Sequence, residues 1–481
     1  MSEEKTEGQK LTEKLGFKIK SAWETASPAD LDDIEKFSTR YKDFLNAGKT
    51  EREITLQIDS ILSKLGFIDA KIAFSKETPL LPGDKIYQNI RGKALNFAII
   101  GKKPVTEGAA ILGAHLDSPR IDIKTNPLYE DSDAAFFDTH YYGGIKKYQW
   151  TTVPLALHGV IFDSSGNKQN ICIGEDENDP VFVITDLLPH LSQEQAEKKM
   201  SKAITGEDLD ILVGSRPFYD EKAEAKVKLN ILRILNKKYG VTESCFASAE
   251  IEAVPAQKAR DVGFDRSMIG AYGHDDKCCA FASLEAALHF ANRGSAPERT
   301  VICSFTDKEE TGSSGNTSAE SRSFEDFITG ITAKTSGSYD SFKTHLALNN
   351  SFMISSDVNA AFDPAFASVF DKKTCSYCGK GIAISKYTGH GGKYGCSDAS
   401  AEYVQKIIKI FNAEKVRWQY GNMGKVDIGG GGTIASQFAR LGIEVIDCGV
   451  PVLSMHSPFE VISKIDLWTA YKGYLAFLKH I

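Results

Sequence analysis

The sequence contains none of the features that mark a membrane-embedded or secreted chain. No apolar run approaches the roughly eighteen residues that a bilayer-spanning helix needs. The N-terminal stretch MSEEKTEGQKLTEKLGFKIK is polar and charged, and it lacks the apolar segment of a secretory signal. The nine cysteines are scattered, and their odd number and irregular spacing exclude a disulfide scaffold. These absences predict a cytoplasmic protein in a reducing compartment.

The chain also lacks an excess of positive charge. Its 57 lysine and arginine residues are outnumbered by 64 aspartate and glutamate residues, and the formal net charge is -7. A protein with this balance has no overall attraction for a phosphate backbone, so nucleic acid is not an expected partner. The sequence has no internal repeat, and its 481 residues are enough for two or more domains.

The two ends of the chain have the patterns of an α/β domain. Residues 31–66 carry apolar residues at spacings of three and four, which is typical of two amphipathic helices separated near Gly48. Short apolar runs at 96–100 and 109–113 predict buried strands. After residue 258, strand and helix patterns alternate again. This alternation predicts a mainly parallel sheet covered by helices.

The middle of the chain has a different character. Residues 125–258 contain runs rich in tyrosine, threonine and valine, including VFVITDLL, and a charged helix is predicted near 218–237. The pattern indicates a strand-rich module inserted into the α/β domain. We therefore predict a catalytic domain formed by residues 1–124 and 259–481, with an inserted domain at 125–258.

Metal-binding side chains follow five of the predicted strands. They are two histidines and four carboxylates: His115, Asp275, Glu309, Glu310, Asp357 and His456. Residues far apart in sequence can converge at the carboxyl ends of strands in an open α/β sheet. Imidazole nitrogen and carboxylate oxygen together suit zinc or a similar divalent ion. Four carboxylates would repel one another without compensating charge, which implies two cations.

Residues beside these ligands have chemistry that can support them. Asp117 lies two positions after His115 on an extended segment, so both side chains point to one side, and Asp117 can either hold the second nitrogen of the imidazole or orient the neighbouring catalytic acid. Asp275 begins a predicted helix and can bridge two cations, whereas Asp276 is expected to cap or support it. Of the adjacent glutamates at 309 and 310, one can bind metal while the other holds a proton.

Five motifs, in this order, resemble those of the M18 family of dinuclear zinc aminopeptidases, which includes aspartyl aminopeptidase and vacuolar-type aminopeptidase I. The motifs are GAHLDSPR, GHDDKCCAF, DKEETGSSG, SSDVNAAFDP and SMHSPFE, and the likeness runs from about Leu31 to the C-terminus. The resemblance implies a mainly parallel-sheet zinc-peptidase catalytic domain, of phosphorylase/hydrolase-like fold, with an inserted strand-rich dimerisation domain.

The resemblance also implies two divalent ions in each subunit. His115, Asp275 and Asp357 would hold one ion, and Asp275, Glu310 and His456 would hold the other. Zinc is the expected metal, although cobalt and manganese also fit this ligand set, and availability often decides between them.

Glu309 would be the general base, with Asp117 as its supporting carboxylate. Two ions about 3.5–4 Å apart lower the pKa of a shared water and polarise the scissile carbonyl. Glu309 would take the proton of that water and deliver it to the leaving amine. The implied reaction hydrolyses peptides and releases one N-terminal amino acid.

The inserted domain of the family forms dimers and donates a histidine into the active site of the neighbouring protomer. The segment ITDLLPHLS resembles the strand that carries this histidine, which puts His190 in that role, in contact with either the metal centre or the substrate. His158 has apolar neighbours in PLALHGVIF and is expected to be a core histidine. Family members assemble from dimers into dodecamers, and we expect self-association here.

Two further segments resemble substrate loops of the family. KGIAISKYTGHGGKYGCSDAS contains Lys386 and Tyr394, which are candidates for binding the substrate backbone or side chain. DIGGGGTIA matches a Gly/Thr-rich loop and puts Gly431, Gly432 and Thr433 nearest the metals. Glycines in such a loop allow the backbone to approach a ligand closely.

The sequence departs from the family pattern at two positions. Members that prefer acidic residues carry histidines three and six positions after the metal-binding aspartate, whereas this chain has Ala360 and Asp363. This departure favours a neutral or basic N-terminal residue, and Asp363 would suit a cationic side chain. The alternatives are an acidic-residue (aspartyl) aminopeptidase, an N-acyl amino acid deacylase and a non-catalytic assembly protein. The presence of every expected ligand counts against the last of these.

Two other segments resemble functional motifs only superficially. Cys375, Cys378, His390 and Cys396 form a nominal Cys3His set for structural zinc, but their spacing is loose and the same segment resembles a substrate loop. The acidic run EDEND at 175–179 is expected to be a solvated hairpin turn.

Overall fold

The computed structural model describes residues 5–481, so residues 1–4 of the polar N-terminal stretch lie outside the described residues. Most of the longer helices come from the two ends of the chain. The helices are α1 (Glu7–Leu15), α2 (Pro28–Ala47), α3 (Glu51–Lys64), α4 (Ala70–Ser75), α5 (Gln193–Glu197), α6 (Met200–Ala203), α7 (Lys226–Tyr239), α8 (His274–Ala291), α9 (Ser323–Ser336), α10 (Ser341–Asn349), α11 (Ala401–Ala413), α12 (Ala435–Ala439) and α13 (Lys464–His480). Within residues 5–481, no helix combines the length and apolar character needed to cross a bilayer.

Within the same described range, the strands form four sheets. The strands are β1 (Ile68–Asp69), β2 (Lys85–Ile90), β3 (Ala94–Ile99), β4 (Ala110–His115), β5 (Arg120–Asp131), β6 (Ala134–Tyr142), β7 (Leu155–Phe162), β8 (Lys168–Ile173), β9 (Val183–Ile184), β10 (Ile211–Gly214), β11 (Glu250–Pro255), β12 (Arg260–Val262), β13 (Met268–Ala271), β14 (Val301–Thr306), β15 (Phe352–Ser355), β16 (Asn359–Ala360), β17 (Ile382–Ser385), β18 (Gly389–His390), β19 (Trp418–Tyr420), β20 (Gly430–Gly431), β21 (Glu444–Gly449), β22 (Pro451–Leu453) and β23 (Glu460–Ser463).

The largest sheet has nine strands in the order β1-β2-β3-β14-β4-β15-β21-β17-β19. Its central strands β14, β4, β15 and β21 pair in parallel. The flanking strands β3 and β17 run antiparallel to their central neighbours. The fold is therefore mixed α/β, as the alternation of elements predicted. The carboxyl ends of the parallel strands meet at one edge of this sheet.

Helices cover both faces of the nine-stranded sheet. Phe281 of α8 and Tyr474 of α13 belong to the core on one face. Phe327 of α9 and Phe438 of α12 belong to the core on the other. Because both faces are covered, the central strands are apolar without alternation, and every residue of β4 is buried.

The two predicted N-terminal helices are confirmed as α2 and α3. Each has a capping box: the Ser27 hydroxyl accepts a hydrogen bond from the Asp30 amide, and the Thr50 hydroxyl accepts one from the Glu53 amide. Gly48 lies in the short connection between the helices. The helices therefore begin and end at signals that are present in the local sequence.

Residues 120–255 contain a second sheet with its own core. Its seven strands are antiparallel and follow the order β8-β7-β11-β5-β6-β10-β9. The buried side chains of this core include Phe137, Trp150, Ile211 and Phe246. We call this part the seven-stranded module. Its first strand, β5, begins before the predicted boundary at residue 125.

Two predicted elements of the seven-stranded module are shorter than expected. The charged helix predicted near 218–237 forms only from Lys226, because the segment before it closes a turn in which the Phe218 amide donates to the Lys226 carbonyl. The predicted strand in VFVITDLL is limited to Val183–Ile184. The leucines that follow are exposed and have no strand partner in the described chain, so apolar character alone did not identify a strand.

The prediction that His158 is a core histidine is confirmed, but its closest side-chain contacts are charged rather than apolar. Its side chain is buried, but Nδ1 lies 2.7 Å from Glu53 Oε1 of α3 and Nε2 lies 3.1 Å from Glu175 Oε1. Lys49 Nζ lies 2.6 Å from the same Glu175 oxygen, so the acidic run EDEND is not simply a solvated turn. Burial acts to lower the pKa of His158, but Cys172, Glu175 and Glu53 raise it to about 11. The imidazolium therefore joins the seven-stranded module to α3.

We expect His158→Gln to lower the free energy of unfolding at pH 7 by about 3 kcal/mol, because two partly buried carboxylates lose a cationic partner. The pKa of His158 is raised from 6.5 to about 11 in the folded protein. Its stabilisation is therefore complete below pH 6.5 and declines as the pH rises through about 11. Denaturant unfolding of both proteins at pH 7 and at pH 11 measures this difference.

The matched control is His140→Gln, because His140 is exposed. We expect the control to unfold like the unmodified protein at both pH values. If His158→Gln were as stable as the control at pH 7, the ion pairs of His158 would not stabilise the junction between the module and α3.

Candidate metal centre

Three adjacent parallel strands bring one half of the predicted cluster together. His115 is the last residue of β4, and its register partner on β14 is Thr306. Glu309 and Glu310 lie in a short 3-10 turn that follows β14. Asp357 follows β15, which pairs with β4 on the other side. These residues converge because parallel strands end at the same edge of a sheet.

The other half of the cluster comes from a different sheet. Asp275 follows β13 at the start of α8, and His456 follows β22. Both strands belong to a five-stranded sheet with the order β12-β13-β23-β22-β16. The carboxylate of Glu460 on β23 accepts hydrogen bonds from the His456 amide at 2.7 Å and from the Asp275 amide at 3.1 Å. The site is therefore formed where two sheets meet.

Sequence reasoning missed Glu460. It is buried and lies within the motif SMHSPFE. The available signal was a carboxylate next to the short apolar run of Val461 and Ile462, since buried carboxylates normally have a specific partner.

Asp275 lies between the two histidines. Its Oδ1 is 3.1 Å from His115 Nε2, and its Oδ2 is 3.1 Å from His456 Nε2. Glu310 Oε2 is 3.4 Å from His456 Nε2, and Glu309 Oε2 is 4.0 Å from His115 Nε2. Each of the two carboxylate oxygens of Asp275 thus faces a different imidazole.

The tautomer of each histidine follows from its second ring nitrogen. His115 Nδ1 lies 2.9 Å from the Asp117 carbonyl oxygen, and His456 Nδ1 lies 2.8 Å from the Gly144 carbonyl oxygen. A carbonyl oxygen can only accept a hydrogen bond, so Nδ1 carries the proton in both rings. Nε2 is then available as a metal ligand on the side that faces Asp275.

Asp117 is completely buried and supports the turn that carries the glutamates. Its Oδ1 accepts a hydrogen bond from the Glu309 amide at 3.1 Å, and its Oδ2 accepts one from the Glu310 amide at 3.2 Å. Burial acts to raise the pKa of Asp117, but His115 and Tyr142 hold it below the usual range. Asp117 is therefore an ionised support beneath both glutamates.

Asp276 supports the site rather than capping the helix. Its side chain makes no capping hydrogen bond, and its Oδ2 accepts one from the His115 amide at 3.3 Å. An oxygen of Asp276 also lies within 4.8 Å of ligand atoms of His115 and Asp357. Of the two expected roles, capping and support, the structure shows support.

The ionisable groups of the cluster shift one another's pKa. Burial raises the pKa of Glu310 and Asp357 well above the usual range, and Asp275 adds to this effect in both. Burial raises the pKa of Glu309 to about 7, with the charges of Asp117 and Asp275 contributing. Burial would also raise the pKa of Asp275, but the two histidines hold it well below the usual range. Cations at the centre would offset this repulsion between carboxylates.

The residues present fit a metal centre. Asp275 Oδ1 and Glu310 Oε1 are buried and have no hydrogen-bond partner. Ligand atoms of Asp275, Glu310 and His456 lie within 4.8 Å of one another, as do those of His115, Asp276 and Asp357. Nitrogen and carboxylate donors of this kind bind zinc at about 2.0–2.2 Å, so each group has room for one ion.

A cleft leads away from Asp357. Of the predicted substrate-binding residues, Gly431 and Thr433 line this cleft, and the Thr433 hydroxyl donates to Asp447 Oδ1 at 2.8 Å. Asp447 is buried and was missed by sequence reasoning, although it lies near the carboxyl end of a predicted strand, where the other ligands were sought. Tyr387, Met423 and other cleft residues carry no comparable signal in the sequence.

The remaining predicted substrate-binding residues lie around the cleft rather than along its described lining. Lys386 Nζ is 2.6 Å from Asp398 Oδ1, and Tyr394 is 70% exposed. Gly432 lies between two residues that line the cleft. Asp363 Oδ1 accepts a hydrogen bond from the Ala365 amide, so one of its oxygens caps a turn.

His190 lies on the surface of the seven-stranded module. It is exposed, in a 3-10 turn flanked by Pro189 and Leu191. Within residues 5–481 of this one chain, it does not share a potential metal-binding group with the cluster, and neither do Cys375, Cys378 and Cys396.

The sequence of nearly the whole chain is similar to that of a known protein family. The family model of the aminopeptidase I zinc metalloproteases (M18) matches residues 44–478. The chain belongs to the M18 family. A relative from Clostridium acetobutylicum, named probable M18 family aminopeptidase 1, is 50% identical over 461 residues, which are 96% of this chain and 98% of the relative.

Solved structures of the family have the same fold as this aminopeptidase. The M18 aminopeptidase of Thermotoga maritima has a TM-score of 0.91 and 42% identity, and the match covers 97% of this chain and all (100%) of that one. Aminopeptidase I of C. acetobutylicum has a TM-score of 0.87 and 47% identity, and the match covers 96% of this chain and 100% of that one.

Family membership confirms several predictions. The enzyme is a zinc metalloaminopeptidase, as the five motifs indicated. The deacylase and the non-catalytic assembly protein are not favoured by these relatives.

Proposed function

We propose that this M18 aminopeptidase uses two zinc ions held by the cluster to remove single N-terminal residues from peptides. The observation that carries the proposal is the position of Asp275, with one carboxylate oxygen 3.1 Å from each of two imidazoles. His115, Asp275 and Asp357 would hold one ion. Asp275, Glu310 and His456 would hold the other. Asp275 is then the bridge between them, and cobalt or manganese could replace zinc at the same ligands.

Bound metals of this kind lower the pKa of a water molecule and polarise a carbonyl group. The chain itself supplies the group that accepts the proton, and we assign that role to Glu309. The Glu309 side chain is 17% exposed, compared with 4% for that of Glu310. Glu310 Oε2 is 3.4 Å from His456 Nε2, whereas Glu309 Oε2 is 4.0 Å from His115 Nε2. Glu309 is therefore the more accessible carboxylate for moving a proton from water to the leaving amine.

Asp117 keeps Glu309 in place. Its two carboxylate oxygens accept hydrogen bonds from the amides of Glu309 and Glu310, so one side chain sets the orientation of the base and of a metal ligand. A displacement of the base by about 1 Å can cost about 10²-fold in rate. Asp117 thus acts on the reaction through Glu309 and not by contact with the substrate.

We propose that the substrate enters along the cleft that begins at Asp357. Gly431, Gly432 and Thr433 would lie against the substrate backbone, and Lys386 and Tyr394 would contact it from the surrounding loop. The preferred N-terminal residue would be neutral or basic, because Ala360 and Asp363 stand where histidines occur in acidic-residue-preferring members. Asp363 has one oxygen in a turn and the other available for a cationic side chain.

We also propose that the enzyme is a homo-oligomer built from dimers and that neither a nucleic acid nor a membrane is among its partners.

 The seven-stranded module would form the dimer interface. Leu187, Leu188 and Leu191 are 53%, 49% and 68% exposed and flank His190, so a partner that covers them would also bury this histidine. His190 would then contact the metal centre or the substrate of the neighbouring protomer. Twelve-subunit assembly from such dimers is the expected final state.

A cytoplasmic location is part of the same proposal. All nine cysteines are free, which fits a reducing compartment. We propose a catalytic domain formed by the two ends of the chain and a dimerisation domain formed by the seven-stranded module, with the first boundary at residue 120, where β5 begins, rather than at the predicted residue 125. The separate core of the seven-stranded module supports this division.

The function is tested by removing metal with a chelator, restoring zinc, cobalt or manganese, and measuring hydrolysis of p-nitroanilides of leucine, lysine and aspartate. We expect no activity without metal, restored activity with two equivalents of zinc, and faster turnover of the leucine or lysine compound than of the aspartate compound. The control is N-acetyl-leucine p-nitroanilide, which lacks a free amine and should not be cleaved.

Each other outcome points to a specific error. Full activity with one equivalent of zinc would contradict the two-ion centre. Preference for the aspartate compound would support the aspartyl alternative, and release of acetate from N-acetyl-leucine would support the deacylase. Metal-independent hydrolysis would contradict the whole proposal.

A further inference from the structure

The end of β6 connects the seven-stranded module to both sides of the metal centre. The β6 tail, as we call residues 142–144, consists of the last residue of the strand and the two residues after it, and it extends from the module towards the cluster. One residue of the tail contacts Asp117 and another contacts His456. The β6 tail contributes none of the proposed metal ligands and no group to the proton transfer described above.

Tyr142 contacts the first side of the centre. Its hydroxyl donates a hydrogen bond to Asp117 Oδ2 at 2.9 Å, the same oxygen that accepts the Glu310 amide. Asp117 has no exposed surface, so a water molecule from solvent cannot readily replace this donor. A buried carboxylate that loses a hydrogen bond has a strong tendency to move.

Gly143 and Gly144 contact the second side. The Gly144 carbonyl oxygen lies 2.8 Å from His456 Nδ1 and so fixes the ring that faces Asp275. Gly143 has a φ of 75°, and a Cβ atom at this position would lie 3.3 Å from Glu310 Cβ. Only glycine allows the backbone to pass this close to Glu310 without strain.

The position of Tyr142 is itself fixed within the module. Arg120 is its register partner on β5, and the Arg120 guanidinium lies 3.9 Å from the centre of the Tyr142 ring. Arg120 is buried and lies 3.2 Å from Glu252 of β11 and 3.5 Å from Glu51 of α3. The Tyr142 ring is therefore held by a guanidinium that forms one ion pair within the seven-stranded module, with Glu252, and another with Glu51 of α3, outside the module.

We propose that the β6 tail is a positioning element of the metal centre, with Tyr142 acting through Asp117 and Gly144 acting through His456. The seven-stranded module then stabilises the centre of its own chain, in addition to any contact with a partner subunit. This inference rests on the proposed function, because it takes Asp117 and His456 to have the roles assigned above. Groups that hold metal ligands in this way commonly change metal affinity or activity by about 10–100-fold when they are removed.

The test compares Tyr142→Phe with Tyr141→Phe. Tyr141 precedes Tyr142, is 40% exposed, and makes no side-chain hydrogen bond within residues 5–481, so it is a matched control. We expect Tyr142→Phe to release zinc to a chromophoric chelator about 10-fold faster and to lower kcat about 10-fold, with KM within about twofold of the unmodified enzyme. Tyr141→Phe should behave like the unmodified enzyme in all three measurements.

A general loss of stability is separated from positioning by the thermal midpoint of the metal-free protein. We expect Tyr142→Phe to lower that midpoint only moderately, because one hydrogen bond to a buried carboxylate is lost. We expect faster zinc release and lower kcat at temperatures well below the midpoint, where the variant is fully folded. Adding Tyr142→Phe to Asp117→Asn should cause little further change in zinc release, since both substitutions interrupt the same hydrogen bond.

A second variant tests the other half of the tail. Gly143→Ala keeps Tyr142 and adds one methyl group against Glu310, and it should also release zinc faster than the unmodified enzyme. Zinc release at the unmodified rate in both Tyr142→Phe and Gly143→Ala would overturn the inference. If the unmodified enzyme bound no zinc and cleaved no peptide, the proposed function would fail instead, so the two failures are distinguishable.

Discussion

Glu309→Gln is expected to bind zinc like the unmodified enzyme and to lose about 10³-fold in kcat, because the amide has the shape of the carboxylate but cannot accept a proton from water. The backbone N–H of residue 309 would still donate to Asp117 Oδ1, so the turn should keep its conformation. Zinc content measured by mass spectrometry and turnover of leucine p-nitroanilide provide the two readings.

The control for this prediction is Glu298→Gln. Glu298 is a surface residue that pairs with Lys102, so its substitution tests the same chemical change away from the centre. Near-normal turnover by Glu309→Gln with zinc bound would show that another group accepts the proton. Loss of zinc from the same variant would mean that Glu309 is a metal ligand and that its role and that of Glu310 must be exchanged.

His190→Ala is expected to lower kcat by about 10²-fold, which is the usual cost of removing one hydrogen-bond donor from a reacting centre. If His190 acts in the neighbouring protomer, mixing this variant with Glu309→Gln should restore activity that neither has alone. In a mixed dimer, one site has Glu309 and receives His190 from the other chain. Random mixing would then give about a quarter of the unmodified activity, because half of the dimers are mixed and each has one complete site.

The matched control is His345→Ala, since His345 is an exposed histidine on α10, away from the seven-stranded module. This variant should be fully active alone. A mixture of His190→Ala and Glu309→Gln that is no more active than the average of its components would contradict a role for His190 in the neighbouring protomer.

The sequence predicted the zinc chemistry of the site because the candidate ligands lie next to recognisable strand patterns. His115, Glu309, Glu310 and Asp357 each follow an apolar run that could be recognised as a buried strand, and the structure brings them together at the edge of the nine-stranded sheet. Helix caps were equally local, as the Thr50 capping box at the start of α3 illustrates.

His158 shows where such reasoning fails. Its neighbours in sequence are apolar, but its neighbours in space are Glu53, which is 105 residues away in the sequence, and Glu175, which is 17 residues away. Alternation of apolar residues along a strand reports that a position is buried and does not report what faces it. The expected apolar environment was wrong for this reason.

The sequence by itself determined that this chain is an α/β zinc metalloaminopeptidase and which side chains are candidates for binding the metal, because strand patterns, caps and ligand types are properties of short segments. Only the tertiary structure decided that Asp275 and His456 come from a second sheet, that Glu460 holds both of their amides, and that the β6 tail reaches the centre from the seven-stranded module. These relations depend on pairing between strands and on contacts between separate layers, for which no short segment carries a signal.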